Sequence, residues 1–291
     1  FFRDAVARLE QAGEAAAFDL PAVLGDLGQV LEERCAYADA LTCYEQAAAR
    51  MAALAACDDD GNDIAALRLQ TWHNLGRMRR LLGQYEQAEP VLRGALAFAE
   101  TRFGCDSLQT AGALNDLGMW GKFTARFEAA AAWYGRALAI LEQHFGTACP
   151  QAASLYHNLG GLEHTRGCFA TGESYARKGV ALRERLVPPD HPDMAADLVA
   201  LAALLDGQEK FDESLPLYHC ALAIFRHTYG DEHYEIAATL HNLAAVYQAQ
   251  QRGADAEALY RQALVLKRKL FPVDNADIAL TLYNLGVLCQ R

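Results

Sequence analysis

Hydrophobic and polar positions along this chain follow a long fixed period laid over a helical short one. One leucine returns without slippage, at a constant interval of forty-two, as Leu75, Leu117, Leu159, Leu201, Leu243 and Leu285. The residue after it is always small: Gly76, Gly118, Gly160, Ala202, Ala244 and Gly286. Ten positions past the leucine stands an aromatic in four copies, Tyr85, Phe127, Phe169 and Phe211, with Gly253 breaking the series. Twenty past it lies a second small residue (Ala95, Ala137, Gly179, Ala221, Ala263), and twenty-eight past it a large apolar one (Phe103, Phe145, Val187, Tyr229, Phe271). Small residues at fixed points let two helices approach to about 8–10 Å, with the leucine and the aromatic filling the space between them. A hairpin of two helices cannot bury its apolar face alone, so successive hairpins stack and share a core. The pattern predicts an all-α solenoid in which each unit reads helix A, turn, helix B, loop.

The copy around Leu201 shows the punctuation in full. His191-Pro192-Asp193 opens helix A, with proline pre-set for a first turn and Asp193 favourable to the helix dipole. Asp206-Gly207 weakens that helix near its end. Helix B then runs from Phe211 to Tyr229, and Gly230 stops it. Gly104 and Gly146 share the stop position, while Pro188 and Pro272 replace it with another helix breaker. The spacing places repeats at 64–106, 107–148, 149–190, 191–232 and 233–274, with a partial last repeat at 275–291. An earlier repeat at 20–63 carries Leu27-Gly28, Tyr37, Ala40 and Ala47, but the step from Leu27 to Leu75 is longer than the repeat by six. The six extra residues are expected as a loop in the polar stretch 58–63. Residues 1–17 fit a helix B whose helix A is missing, and Arg291 falls within a helix A, so a single solenoid over 1–291, trimmed from a longer protein, is expected.

Composition adds limits. A length of 291 residues would ordinarily suggest about two globular domains, but a solenoid grows by addition and overrides that prior. A net charge of −11 argues against nucleic acid or an anionic membrane as partner. The longest apolar run, Leu198 to Leu205, is far below the ~20 residues needed to span a bilayer, and no signal peptide is visible. None of the eight cysteines forms a C-x-x-C pair, which points to buried reduced thiols and a cytoplasmic setting. There is no Gly-rich phosphate loop, H-E-x-x-H or G-x-S-x-G, so neither an enzyme nor a cofactor is expected.

With these columns laid out, the chain resembles the kinesin-light-chain type of tetratricopeptide repeat, which shares this interval of forty-two where the common form uses about 34 residues. The segment 229–237, Tyr-Gly-Asp-Glu-His-Tyr-Glu-Ile-Ala, looks like the linker between such repeats, as does Pro189-Asp190-His191-Pro192-Asp193-Met194-Ala195. Thr239-Leu240-His241-Asn242-Leu243-Ala244 looks like their helix A, and the resemblance covers about Leu20 to Arg291. It implies a right-handed superhelical solenoid whose helices A line a concave, partner-binding groove. It also implies that an asparagine just before the leucine contacts the ligand backbone. That position holds Asn74, Asp116, Asn158, Ala200, Asn242 and Asn284. An amide both donates and accepts, so a ladder of amides can pair with any extended peptide. Ala200, with Val199 beside it, interrupts the ladder and predicts an apolar pocket there. The basic clamp of chaperone-binding relatives has no convincing match.

One position earlier stand His73, Asn115, His157, Val199, His241 and Tyr283. The three histidines do not suggest a metal site, because two repeats separate them by ~20 Å at ~10 Å per helix layer, whereas zinc ligands sit about 2 Å from the ion. They are expected as polar groove-lining residues. A basic group, Arg77, Arg79, Arg80 and Lys122, with His164 further on, reads either as a solvated face balanced by acids such as Glu86 and Glu89 or as a grip for an acidic ligand segment. The aromatic column and Trp72 read as core, while Trp120 and Trp133 have no counterparts in other repeats. The expected function is a protein-interaction scaffold holding a partner peptide or protein segment. The alternative is the sensor or regulatory part of a larger enzyme or transcription regulator.

Overall fold

The computed structural model describes residues 8–9, 19–34, 36–54, 61–146, 149–271 and 275–290. Every regular element among them is a helix: α1 (Asp19–Glu33), α2 (Tyr37–Leu54), α3 (Asn62–Leu81), α4 (Tyr85–Phe103), α5 (Leu108–Phe123), α6 (Phe127–Phe145), α7 (Pro150–Thr165), α8 (Phe169–Leu186), α9 (Pro192–Asp206), α10 (Phe211–Tyr229), α11 (Tyr234–Ala249), α12 (Gly253–Leu270) and α13 (Ala276–Cys289). Odd-numbered helices are the A members of each pair and even-numbered ones the B members. The chain divides into two compact units, Phe1–His144 and Phe145–Arg291, each a run of stacked helical hairpins.

Helix starts follow a column of polar caps ten positions before the repeat leucine. Ser107, His191, His233 and Asn275 each accept a hydrogen bond from a first-turn amide, and the Cys149 thiol does the same for the Ala152 amide at 3.3 Å. The A-to-B turns are equally uniform. Gly83, Ala125, Gly167, Glu209 and Gln251, each eight past the leucine, have φ between 57° and 73°. In each turn the following amide reaches back to the helix, as from Arg126 to the Gly121 carbonyl at 2.8 Å and from Lys210 to the Leu205 carbonyl at 3.0 Å. These are left-handed caps that satisfy carbonyls the helix leaves open. The helix end expected at Asp206-Gly207 falls there. Helix α9 does end at Asp206, but the left-handed residue is Glu209, and Gly207 stays right-handed. Gly207 is needed for space instead: a Cβ there would stand 2.4 Å from the Phe169 ring.

The small residue after each leucine has the same kind of cause. A Cβ at Gly28 would meet the Tyr44 ring at 2.5 Å, one at Gly76 the Leu92 side chain at 2.3 Å, and one at Gly118 the Tyr134 ring at 2.4 Å. All three neighbours hold the same place in the repeat, on helix B, packed across the face of helix A. In the Leu159 copy that place is Ala176, and the Leu204 side chain of the next helix A fills the gap. Tyr44, Tyr134, Tyr218 and Tyr260 are the fully buried aromatics of this column. Tyr85, Phe127, Phe169 and Phe211, expected as core, are half-buried at the first position of each helix B.

The polar stretch 58–63 is in part helical, since Asn62 and Asp63 open α3; 58–60 lies outside the described residues, as does nearly all of the segment 1–17. Cys43 and Cys149 are buried free thiols as expected, but Cys105, Cys168 and Cys220 are exposed. Trp120 is buried and donates from Nε1 to the Tyr85 carbonyl at 2.9 Å, with Trp133 tilted against it at 6.3 Å. Trp72 packs edge-on to Phe98 at 5.3 Å.

Candidate functional site

The residues just before each repeat leucine lie on the helices A, and in unit 1 these are α3 and α5. Asn74 is buried there and accepts from the Gln70 amide at 3.1 Å, so its side chain is turned inward rather than presented. Asn115 is half-buried. Asp116 meets His73 of the preceding repeat at 2.5 Å. Burial works against charge on His73, but the hydrogen bond and charge of Asp116 outweigh it and raise the imidazole pKa. The pair forms one wall of a cleft of about 330 Å³ between α3 and α5, with Ala66, Leu69, Gln70, Gln109, Gly112 and Ala113 among its lining residues. Gln70, Gln109 and Gly112 are exposed, and Gly112 faces open space.

The basic group separates into two kinds of residue. Arg77 grips Glu32 of the preceding helix A through two hydrogen bonds at 2.5 and 2.6 Å, and Arg79 pairs with Glu45 at 3.0 Å. The acids expected to balance them do other work: Glu89 pairs with Arg93 and Arg126. Arg80 and Lys122 instead lie over the Phe123 ring, 5.0 and 5.7 Å from its centre. Burial lowers both pKa values, and the neighbouring Arg80 charge lowers that of Lys122 further. His164 makes an edge contact with Phe169 at 5.5 Å.

In unit 2 the histidines also bridge consecutive helices A. His157 on α7 meets Asp197 on α9 at 2.9 Å, and Asp197 accepts from buried Arg183 at 2.9 Å. His241 on α11 meets Thr281 on α13 at 3.1 Å, and its other ring nitrogen accepts from Asn284 at 3.2 Å. Burial, then the Lys267 ammonium, lower the His241 pKa to about 4, with Asp277 acting the other way, so the ring is neutral. Asn158, Asn242, Val199 and Ala200 are half-buried, and Tyr283 is 68% exposed.

Sequence spacing thus found the helix A face but not its division into staples and open positions. Gln70, Gln109, Gly112 and Tyr134 were missed. The tyrosine column was legible by the same repeat interval, although Leu92 and Ala176 interrupt it. The cleft residues carry no motif, because they are neighbours only through the stacking of α3 on α5.

The tetratricopeptide repeat family model matches residues 67–143, 151–227, 207–269 and 235–291, most of the chain. The chain belongs to the tetratricopeptide repeat family. Solved structures similar to this tetratricopeptide repeat protein include BtubC (BKLC) from P. vanneervenii, at 19% identity and a TM-score of 0.62, covering 78% of this chain and 88% of that one. Another is a putative kinesin light chain with nearly identical repeats from Podosopora anserina, at 21% identity and a TM-score of 0.58, covering 69% and 95%. A third is the Rap conjugation gene regulator of the plasmid pLS20, in complex with a peptide, at 15% identity and a TM-score of 0.61, covering 94% and 75%. Their likeness is one of fold, and it agrees with the kinesin-light-chain-like repeat spacing. No curated protein matches the chain in sequence. No helix among the described residues is long and apolar enough to cross a membrane.

Proposed function

We propose that this tetratricopeptide repeat protein is an interaction scaffold that holds a segment of a partner protein against its helices A. The observation that carries this reading is the cleft between α3 and α5. Its volume of about 330 Å³ is that of a small binding pocket. Ala66, Gly112 and Ala113 leave room for a backbone to approach, while Gln70 and Gln109 offer amides that donate and accept. Within unit 2 taken by itself, Asn242 offers an amide and Val199 and Ala200 an apolar interval on the helices A. Fold likeness to a peptide-bound Rap regulator supports a peptide or protein ligand.

Gly112 provides the test. A Cβ there meets nothing within 4 Å, so Gly112→Leu should place its side chain in the cleft from an unobstructed Cβ and improve helix propensity. Extended peptides selected from a displayed library for binding to the wild-type chain should lose at least ~tenfold in affinity for Gly112→Leu, equivalent to about 1.4 kcal/mol. Gly94→Leu, equally unobstructed but on helix B α4, should leave affinity unchanged. Equal binding by both variants would reject the helix A face of unit 1 as the binding surface.

A further inference from the structure

Where the seventeenth position after the repeat leucine holds a tyrosine, its partner in three copies of four is the residue at the fifth. Tyr44 donates its hydroxyl hydrogen to Glu32, Tyr218 to Asp206 at 2.6 Å, and Tyr260 to Gln248 at 3.0 Å. In each case a buried helix B tyrosine meets an acceptor near the end of its own helix A. The fourth tyrosine, Tyr134, breaks the rule. Its counterpart at the fifth position is Lys122, an ammonium that donates and cannot accept. The Tyr134 hydroxyl is buried and has no hydrogen-bond partner among the described residues. A buried hydroxyl without an acceptor is destabilising, and folded proteins avoid one unless something supplies the acceptor.

Two cations stand at equivalent ends of successive helices A. Arg80 and Lys122 both lie over Phe123, and neither has a carboxylate partner among the described residues, whereas Arg77 and Arg79 beside them do. Asp116 is close enough to affect both Arg80 and Tyr134, but its carboxylate is engaged by His73. Arg80 is close enough to act on both Tyr134 and Lys122, and the two like charges and the unpaired hydroxyl donor lack only an acceptor bearing negative charge.

We infer that Arg80, Lys122 and Tyr134 form a receptor for one oxyanion, a carboxylate or phosphate group on the partner segment; this rests on the proposed binding face of unit 1. An anion joining the two cations offsets, by its opposite charge, the lowering of their pKa values that burial causes. Arg80 and Lys122 are half-exposed, so their flexible side chains can swing from Phe123 onto the ligand, and the receptor requires that this movement uncover the buried tyrosine hydroxyl. Ala66, Gln70, His73 and Arg80 share one stripe of α3, with Arg80 seven residues, or ~10 Å, beyond His73. At ~3.3 Å per extended residue, the charged side chain would fall about three residues along the segment from the part at the His73–Asp116 pair.

The test uses the whole chain and two probes, inorganic phosphate and acetate, titrated separately and followed by NMR of the arginine and lysine side chains. Arg80→Gln and Lys122→Gln should each weaken saturable binding about tenfold, the scale of one charge-assisted hydrogen bond. Tyr134→Phe should weaken it about threefold while melting no lower than wild type, because the hydroxyl it removes is unpaired. Arg79→Gln removes the same charge outside the site and should change nothing. Tighter phosphate binding points to a phosphorylated side chain, comparable binding of both anions to Asp or Glu, and either ranking supports the receptor. Three results would overturn it: no saturable binding of either probe, an Arg79→Gln effect equal to that of Arg80→Gln, or undiminished binding by Tyr134→Phe. Gly112→Leu should retain phosphate binding, so failure of the cleft as a segment site is separable from failure of the anion receptor.

Discussion

Five turns from helix A to helix B set one residue each in the left-handed region, and glycine fills only two of them, Gly83 and Gly167. A side chain in that conformation costs about 1–2 kcal/mol, offset in part by the greater unfolded-state freedom of glycine. Glu209→Gly and Ala125→Gly should therefore each raise stability by about 0.5–1 kcal/mol in urea unfolding, with equal or lower stability counting against the cap assignment. The glycines after the repeat leucines make a sharper pair. At Gly118 a Cβ would stand 2.4 Å from the Tyr134 ring, so Gly118→Ala overpacks and should lose about 1–3 kcal/mol. At Gly160 the nearest atoms are at 3.5 Å, and Gly160→Ala should gain up to about 1 kcal/mol from helix propensity. Sequence alone makes these two positions equivalent; only the neighbour across the helix interface separates them.

Between helices, two bridges in unit 2 occupy equivalent positions with different chemistry. His157, Arg183 and Asp197 join α7, α8 and α9 with a buried carboxylate between two basic groups. His241, Lys267 and Thr281 join α11, α12 and α13, and a hydroxyl stands where the carboxylate was, leaving the Lys267 ammonium bonded, among the described residues, to oxygens of Thr281 and Asp277. Thr281→Asp should restore the missing charge, stabilise the docking of α13, and lift the His241 pKa from about 4 toward its ordinary value. An NMR titration of His241 reads this directly; an unchanged value would mean that burial alone holds the ring neutral. Conversely, Asp197→Ala leaves Arg183 buried without its carboxylate and should cost about 3–5 kcal/mol. The repeat spacing exposed the histidine column but not its partners on the next helix A, because the partner changes in chemistry from Asp197 to Thr281 at one offset and shifts to another offset at Asp116.

For the molecule as a whole, the two units should answer acid differently. His73 in unit 1 has a raised folded pKa, so its contribution is fully present below the unfolded value and is lost as pH rises through the folded one. His241 in unit 2 has a folded pKa of about 4, so its stabilising neutrality is lost as pH falls from about 6.5 toward 4, at about 1.4 kcal/mol per pH unit at most. Burial raises the Glu235 and Asp206 pKa values in the same unit, and their protonation acts in the opposite sense. Hydrogen exchange at pH 7 and pH 5 should show α11–α13 losing protection while α3 and α5 keep theirs, and the loss should be smaller in His241→Asn. An identical loss in that variant would remove His241 as the cause. Stacked hairpins also localise damage. Leu201→Ala should cost about 2–5 kcal/mol and open α9 and its packed neighbours α8 and α10 before α13.

What the sequence determined by itself was the repeat and the boundaries of its helices, since leucine, small-residue and stop positions are local and recur at a constant interval. Helix B at Phe211–Tyr229 and its end at Gly230 could be read residue by residue. Tertiary structure alone decided which polar residues on the helix A face remain open. Asn74 turns inward, the histidines bind the next helix, Arg77 and Arg79 are neutralised, and Arg80 and Lys122 are not. The physical reason is that a side chain's availability depends on what the neighbouring hairpin places opposite it. That neighbour is a whole repeat away along the chain and a hydrogen-bond length away in space.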